Sequence, residues 1–107
     1  MDPVEGQLQG YNARDIDVFM SYFHPDVKVL DGSGNITLEG WEAKKDRYTT
    51  AFQNEPNVKC EIVTRIRLGK YVVDHELLTG YLDGQTREAV AIYTLKDNKI
   101  IQVQFLK

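Results

Sequence analysis

Tyr11-Asn12-Ala13-Arg14-Asp15-Ile16-Asp17 separates two short helical patterns, and Phe23-His24-Pro25-Asp26-Val27-Lys28-Val29-Leu30-Asp31 follows them with the first strand pattern of the chain. From Val58 onward the sequence is typical of strands. An order of helices first and a long sheet afterwards is characteristic of α+β domains. We therefore expect a cone-shaped α+β domain in which helices close over a hollow, curled antiparallel sheet.

The individual elements follow from the period of the apolar residues and from the turn residues between them. Helical spacing predicts a first helix that includes Tyr11 and a second that Asp15 can cap. It also predicts a third helix, which has Trp41, Tyr48, Ala51 and Phe52 on one face and is stopped by Asn54-Glu55-Pro56-Asn57. The predicted strands span Val27–Asp31, Ile36–Leu38, Val58–Leu68, Tyr71–Leu82, Gln85–Leu95 and Ile100–Leu106. Short turns join the last four strands, so we expect an antiparallel meander.

Length and composition exclude several classes of protein. The 107 residues fit a single domain, residues 1–107, and 42% apolar with 27% charged residues is typical of a globular protein. A net charge of −3 argues against a nucleic-acid partner, which requires a dense basic patch. No apolar run approaches the roughly 20 residues that cross a bilayer. The start Met1-Asp2-Pro3 does not resemble a signal peptide, and Cys60 is the single cysteine, so we expect a cytoplasmic protein without membrane association.

The faces of two strands decide which side chains could reach the hollow. In the strand from Val58, alternation places Cys60, Ile62, Thr64 and Ile66 on the inner face. In the next strand, Tyr71, Val73, His75, Leu77 and Thr79 alternate with Val72, Asp74, Glu76, Leu78 and Gly80. Periodicity alone would bury the first of these two sets. Lys44, Lys45 and Arg47 are predicted to form a solvated face of the third helix.

Five motifs spread over nearly the whole chain resemble one protein family. They are Tyr11-Asn12-Ala13-Arg14-Asp15-Ile16-Asp17, Phe23-His24-Pro25-Asp26-Val27, Leu38-Glu39-Gly40-Trp41-Glu42-Ala43, Val73-Asp74-His75-Glu76-Leu77-Leu78-Thr79-Gly80 and Tyr93-Thr94-Leu95-Lys96-Asp97-Asn98-Lys99-Ile100. Together they resemble the SnoaL-like branch of the nuclear transport factor 2-like superfamily, which includes ketosteroid isomerase. The resemblance implies a cystatin-like cone of three N-terminal helices packed on a curved sheet, with an internal pocket.

The ketosteroid isomerase site transfers only in part to this sequence. The resemblance places the general base of that enzyme on Asp31, its oxyanion-binding tyrosine on or near Gln7, and its protonated aspartic acid on Ala91. Two hydrogen-bond donors for a developing oxyanion are therefore missing, and such donors commonly supply the largest electrostatic contribution to catalysis. Tyr11, one helical turn further on, could substitute for one of them. Efficient steroid isomerisation is not expected.

The resemblance also reverses the predicted faces of the strand Tyr71–Leu82. It turns Asp74 and Glu76 inward, so that Asp31, Asp74 and Glu76 become candidate catalytic carboxyls, of which at least one would have a raised pKa. The implied pocket wall consists of Tyr11, Trp41, Tyr48, Phe52, Leu78, Ala91, Tyr93, Val103 and Phe105. The outer face would then carry Val63, Leu77, Val90 and Ile92, which predict a homodimer through the back of the sheet.

Several alternatives stay open at this point. Asp31 precedes Gly32 and could only stabilise a turn, and Asp74 and Glu76 could belong to a solvated strand face. The leading function is a proton-transfer enzyme, an isomerase, cyclase or hydratase, that uses Asp31 as general base on a small apolar substrate. The alternative is a non-catalytic ligand-binding or dimerisation module of the same fold. Epoxide hydrolysis by an Asp-Arg-Asp set ranks below both, with Arg87 as its only candidate arginine.

No cofactor and no metal are expected in the pocket. His24 and His75 lack histidine or cysteine partners at the spacing of metal ligands.

Overall fold

Two aspartates begin the first two helices. The computed structural model describes residues 1–107, and in it α1 spans Pro3–Ala13, α2 spans Ile16–Met20 and α3 spans Trp41–Asn54. The Asp2 side chain accepts a hydrogen bond from the backbone of the first turn of α1, and Asp15 does the same for α2. The three predicted helices are thereby confirmed.

A single six-stranded sheet forms the rest of the molecule. Its strands are β1 (Phe23–Leu30), β2 (Ile36–Glu39), β3 (Lys59–Leu68), β4 (Tyr71–Thr79), β5 (Arg87–Lys96) and β6 (Lys99–Leu106). The strand order is β2-β1-β6-β5-β4-β3, and only the β1–β6 pair is parallel. The predicted antiparallel meander of the last four strands is confirmed, as is the cone-shaped α+β fold.

Helices α1 and α2 meet at Gly10. A side-chain carbon at this position would collide with the backbone of Phe19, so only glycine allows the two helices to approach this closely. The approach presses Phe19 into an aromatic cluster with Tyr11, Tyr48 and Phe52. This cluster forms the helical wall of the interior. None of the three helices has the length and apolar character needed to cross a bilayer.

The inner face of β4 carries the acidic residues. Val72, Asp74 and Glu76 are buried at alternating positions, whereas Val73 and His75 lie on the outer face with partial exposure. The prediction from periodicity alone was wrong, and the prediction from the family resemblance is confirmed. Because a buried acid needs a partner or a raised pKa, this parity decides the chemistry of the interior.

A bulge in β3 overturns the predicted inner face of that strand. The register shifts between Ile62 and Thr64, so that Arg65, rather than Thr64, lies opposite Asp74. An extra residue in one strand reverses the facing of every residue beyond it. The expectation that Thr64 and Ile66 point inward was therefore wrong, and the Ile66 side chain is 59% exposed.

The outer face of the sheet keeps some apolar surface. Val63 is 53% exposed, and Leu77, Val90 and Ile92 are partly exposed. A homodimer through this face stays a prediction.

Candidate functional site

A cavity of about 160 Å³ lies between the helices and the inner face of the sheet. Most of its lining is apolar or aromatic. Glu76 and Lys44 are among its ionisable residues, one acidic and one basic. The predicted pocket residues that line it are Tyr11, Tyr48, Glu76, Leu78, Tyr93, Val103 and Phe105. An apolar hollow with a few polar groups is the usual form of a small-molecule site.

Three of the predicted pocket residues lie elsewhere. The Trp41 indole nitrogen donates a hydrogen bond of 3.0 Å to the Met20 carbonyl oxygen, outside the cavity wall. Phe52 packs edge-on against Tyr11 and Phe19 in the core. Ala91 is completely buried in the same core, where its small side chain does not reach the cavity.

Asp31 does not reach the cavity either. Its carboxylate accepts hydrogen bonds from the backbone nitrogens of Ser33 and Asn35, at 2.9 and 3.0 Å, and stabilises the turn between β1 and β2. The hydrogen bond from Asn35 is the main reason that the pKa of Asp31 is lowered from its ordinary value. The predicted position of Asp31 at the cavity rim was wrong, because a carboxylate followed by glycine and serine closes its own turn.

Asp74 is buried, and its carboxylate is bound by Arg65. Nε and Nη2 of Arg65 donate to the two carboxylate oxygens of Asp74, at 2.7 and 3.0 Å, and Nη1 of Arg65 donates to Glu5 at 2.8 Å. The Asp74 side chain is completely shielded from solvent. Such a two-pronged pair satisfies both partners, and it leaves Asp74 outside the cavity lining.

Glu76 is the acid that the structure brings into the cavity. Its Oε2 accepts a hydrogen bond of 3.3 Å from the Tyr93 hydroxyl, which in turn accepts one of 3.3 Å from Nε2 of Gln7. Burial raises the pKa of Glu76 from 4.5 to about 7, and the charge of Asp74 adds to the rise. Glu76 can therefore either accept or donate a proton near neutral pH.

Lys44 is the residue that sequence reasoning missed. It is 1% exposed, and its amine lies 4.1 Å from the ring centre of Tyr48 and 4.4 Å from that of Phe23. Burial lowers the pKa of Lys44 from 10.5 to about 7. The predicted solvated face was wrong for Lys44, which is three residues after Trp41 and four before Tyr48. Helical spacing therefore places it on the apolar face of α3.

Cys60 also lines the cavity. Burial, with a contribution from the Glu76 charge, raises the pKa of its thiol above the ordinary value. A thiol of this kind stays protonated near neutral pH and is a poor nucleophile. No three or more His, Cys, Asp or Glu side chains gather in a way that could hold a metal ion.

Comparison with known proteins gives one family and a consistent fold. The family model described as a SnoaL-like domain matches residues 4–103. No curated protein matches the chain. Among solved structures, an uncharacterised cystatin-fold protein from Novosphingobium aromaticivorans has 27% sequence identity and a TM-score of 0.89, over 98% of this chain and 95% of that one.

Two further structures share the fold at lower identity. A candidate polyketide cyclase from Sinorhizobium meliloti has 20% identity and a TM-score of 0.84, over 99% of this chain and 94% of that one. A protein with a ketosteroid isomerase-like fold from Catenulispora acidiphila, in complex with trimethylamine, has 15% identity and a TM-score of 0.80, over 99% and 85%. At these identities the similarity shows the fold.

Proposed function

This chain belongs to the SnoaL-like domain family, and we propose that it is a proton-transfer enzyme that acts on a small, largely apolar molecule with Glu76 as its general base. Relatives by fold include polyketide cyclase candidates and ketosteroid isomerase-like proteins, which is compatible with this class of reaction. The proposal moves the base from Asp31, where the resemblance implied it, to the carboxyl that lines the cavity.

The observation that carries the proposal is a carboxyl group in an apolar cavity with a pKa of about 7. A general base is most effective when its pKa lies near the working pH, because it is then both available and strong enough. A glutamate on a solvated surface has a pKa near 4 and is a much weaker base. Burial on the inner face of β4 is the main cause of the higher pKa of Glu76.

Tyr93 and Gln7 orient this base. Gln7 donates to the Tyr93 hydroxyl oxygen, so the Tyr93 proton is free to point at Oε2 of Glu76. The carboxyl is thereby held in place on the cavity wall, where a substrate can reach it. Tyr93 is fully buried, and burial raises its pKa far above the ordinary value, so its hydroxyl keeps its proton and donates it in a hydrogen bond to Glu76.

The size of the cavity limits the substrate. A dry cavity of about 150 Å³ is known to hold one benzene molecule, and the volume here is about 160 Å³. A single ring or a branched chain of similar size fits, whereas a four-ring steroid does not fit inside. This size agrees with the expectation that efficient steroid isomerisation is absent.

Hydrogen exchange at carbon tests the proposal without knowledge of the natural substrate. Cyclohexanone and acetophenone in deuterated water should exchange the hydrogens next to the carbonyl faster with the protein than without it, with a rate that rises through about pH 7. Glu76→Gln should abolish the acceleration, because the amide cannot accept the proton. The matched control, Glu88→Gln, changes an exposed glutamate on β5 and should leave the rate unaltered.

Two outcomes would contradict the proposal. Equal acceleration by the wild-type protein and by Glu76→Gln would remove Glu76 from the reaction. Ring compounds that bind in the cavity without any exchange would favour the alternative of a non-catalytic ligand-binding module. That alternative is supported by Gln7 and Ala91, because the family resemblance places the oxyanion donors of ketosteroid isomerase on or near Gln7 and on Ala91.

A further inference from the structure

Lys44 is a buried base without an acidic partner. Its side chain is 1% exposed, and three aromatic rings surround the amine, those of Tyr48, Phe23 and Phe19 at 4.1, 4.4 and 5.4 Å. Burial is the main reason that its pKa is lowered, and the like charge of Arg47 adds to the effect. Buried lysines are rare unless they are paired, because the desolvation of an ammonium group is costly.

A purely structural role does not account for this placement. A lysine that only fills space with its carbon stem usually carries its amine out to water. Here the amine is directed inward, since Lys44 lines the cavity and is otherwise enclosed by rings. The rings stabilise the charged form from their faces but offer it no hydrogen-bond acceptor. The hydrogen-bonding capacity of the amine is therefore directed toward the contents of the cavity.

The negative charges around the cavity are largely offset. Asp74 is neutralised by Arg65, so its charge is already matched outside the lining. Burial raises the pKa of Glu76 to about 7, so about half of these carboxyls are protonated at pH 7 and can donate a hydrogen bond to an anionic oxygen, and this fraction grows below pH 7. Lys107 is the other basic residue in the lining. An incoming anionic oxygen thus meets positive charge and donors.

We propose that Lys44 is an anion-binding group and that the cavity takes ligands in which a carboxylate, phenolate or enolate oxygen is attached to a single apolar ring. The charged oxygen lies at the Lys44 amine, and the ring lies against the aromatic side chains. This inference deepens the proposed function, because it names the substrate class of the same cavity. It depends on Lys44 and not on the basicity of Glu76.

The same contact has a consequence for catalysis. When a base removes a proton next to a carbonyl group, negative charge develops on the carbonyl oxygen, and stabilisation of that charge usually dominates the rate. In its protonated form Lys44 supplies a cation for this oxygen, in a chain where the family resemblance leaves two oxyanion donors missing. A lysine ammonium in a dry cavity is a stronger stabiliser than one in water.

The test compares benzoate with benzamide, which have the same shape but differ in charge. Isothermal titration at pH 7 should show that the wild-type protein binds benzoate about tenfold more tightly or better than benzamide, as expected for one buried charged hydrogen bond. Lys44→Met should lose this preference and still bind benzamide. Lys45→Met, the matched control on α3, should retain it, since Lys45 lies outside the cavity lining and pairs with exposed Asp17.

A second measurement on the unaltered protein covers the case in which Lys44→Met does not fold. Because part of the lysine population is unprotonated at pH 8, benzoate binding should take up protons, which titration in two buffers of different ionisation enthalpy detects. Benzoate binding without proton uptake, or stronger binding of benzylamine than of benzoate, would overturn the inference. So would unchanged benzoate affinity in a folded Lys44→Met.

The proposal for Glu76 and the proposal for Lys44 can be tested independently. Glu76→Gln should keep the preference for benzoate over benzamide while it loses hydrogen exchange. That result would support an anion-binding group separate from the general base, as proposed for Lys44. If Glu76→Gln and Lys44→Met both keep the preference, the anion lies elsewhere, and the inference about Lys44 is wrong while the general base remains testable.

Discussion

Asp74 and Glu76 are two residues apart on the same face of β4, yet their surroundings give them different chemistry. Asp74 has Arg65 on both carboxylate oxygens, whereas the hydrogen-bond partners of Glu76 are the uncharged Tyr93 hydroxyl and Cys60 thiol. A cation at hydrogen-bond distance stabilises the charged form of a carboxyl, and burial without one stabilises the neutral form. The acid without a cation is therefore the one suited to proton transfer.

Asp31 is predicted to stabilise the fold and to have no part in the reaction. Asp31→Asn should lower the melting temperature, because the substitution weakens the hydrogen bonds that the carboxylate accepts from Ser33 and Asn35. The pKa of Asp31 is lowered in the folded protein, so its contribution to stability is present above the unfolded pKa and is lost as the pH falls through the folded pKa. Hydrogen exchange at carbon should be unchanged.

Thermal unfolding at pH 7 and at pH 3 measures this effect. The difference between the wild-type protein and Asp31→Asn should be smaller at pH 3, where the carboxylate of the wild-type protein is partly protonated. A melting temperature that stays the same or rises, together with a loss of exchange, would restore Asp31 as the base.

The burial of Lys44 could not be predicted from its residue type. Lys44, Lys45 and Arg47 suggest a solvated surface, but helical spacing relative to Trp41 and Tyr48 places Lys44 on the buried face. This spacing can be seen in the sequence. Burial of the amine cannot, because a lysine on an apolar face usually extends along its carbon stem to water, and here the packing of Phe19 and Phe23 prevents that.

Among the elements, β3 and β4 show where the alternation of apolar residues fails to predict which face of a strand is buried. Periodicity alone favours the wrong face of β4, and only the family resemblance selects the one with Asp74 and Glu76 inside. For β3, alternation is correct up to Ile62 and wrong beyond it, since a bulge has no reliable signature in the sequence. The start of α2, in contrast, was predictable, because the Asp15 side chain caps the helix with a local hydrogen bond.

The bulge in β3 is what brings Arg65 to Asp74, so this contact should be important for stability. Arg65→Met should lower the free energy of unfolding by about 3 kcal/mol or more, because it leaves Asp74 buried and unpaired. Arg67→Met, two residues along the same strand, removes a more exposed pair with Asp2 and should cost less than about 1 kcal/mol.

Urea unfolding of both variants measures the difference, and Arg65→Met combined with Asp74→Leu should recover much of the loss. Equal costs for Arg65→Met and Arg67→Met would mean that the Asp74 pair does not have the predicted role. In that case the bulge would be a detail of the strand, without consequence for the interior.

At the scale of the whole molecule, two buried groups with pKa values of about 7 predict an unusual dependence of stability on pH. The pKa of Glu76 is raised on folding, so its contribution is complete below about pH 4.5 and is lost as the pH rises through about 7, which costs roughly 3 kcal/mol. The pKa of Lys44 is lowered on folding. The unfolded chain therefore binds more protons above pH 7, and stability rises again.

The free energy of unfolding should consequently pass through a minimum near pH 7, where many proteins are most stable. Urea unfolding at pH 5, 7 and 9 measures it. Glu76→Gln should remove the decrease between pH 5 and 7, and Lys44→Met should remove the increase between pH 7 and 9. A single maximum at pH 7 in the wild-type protein would show that neither group is buried without a partner.

Glu76 is the one acid in the lining of the cavity, and burial there raises its pKa to about 7. Carbon-13 NMR of the glutamate side-chain carboxyls between pH 3 and 10 tests it most directly, with Glu76→Gln to assign the resonance. We predict a midpoint near pH 7 for Glu76, and a shift of that midpoint when Tyr93→Phe removes the hydrogen bond to Oε2. A midpoint near 4.5 for the resonance that Glu76→Gln removes would contradict the account.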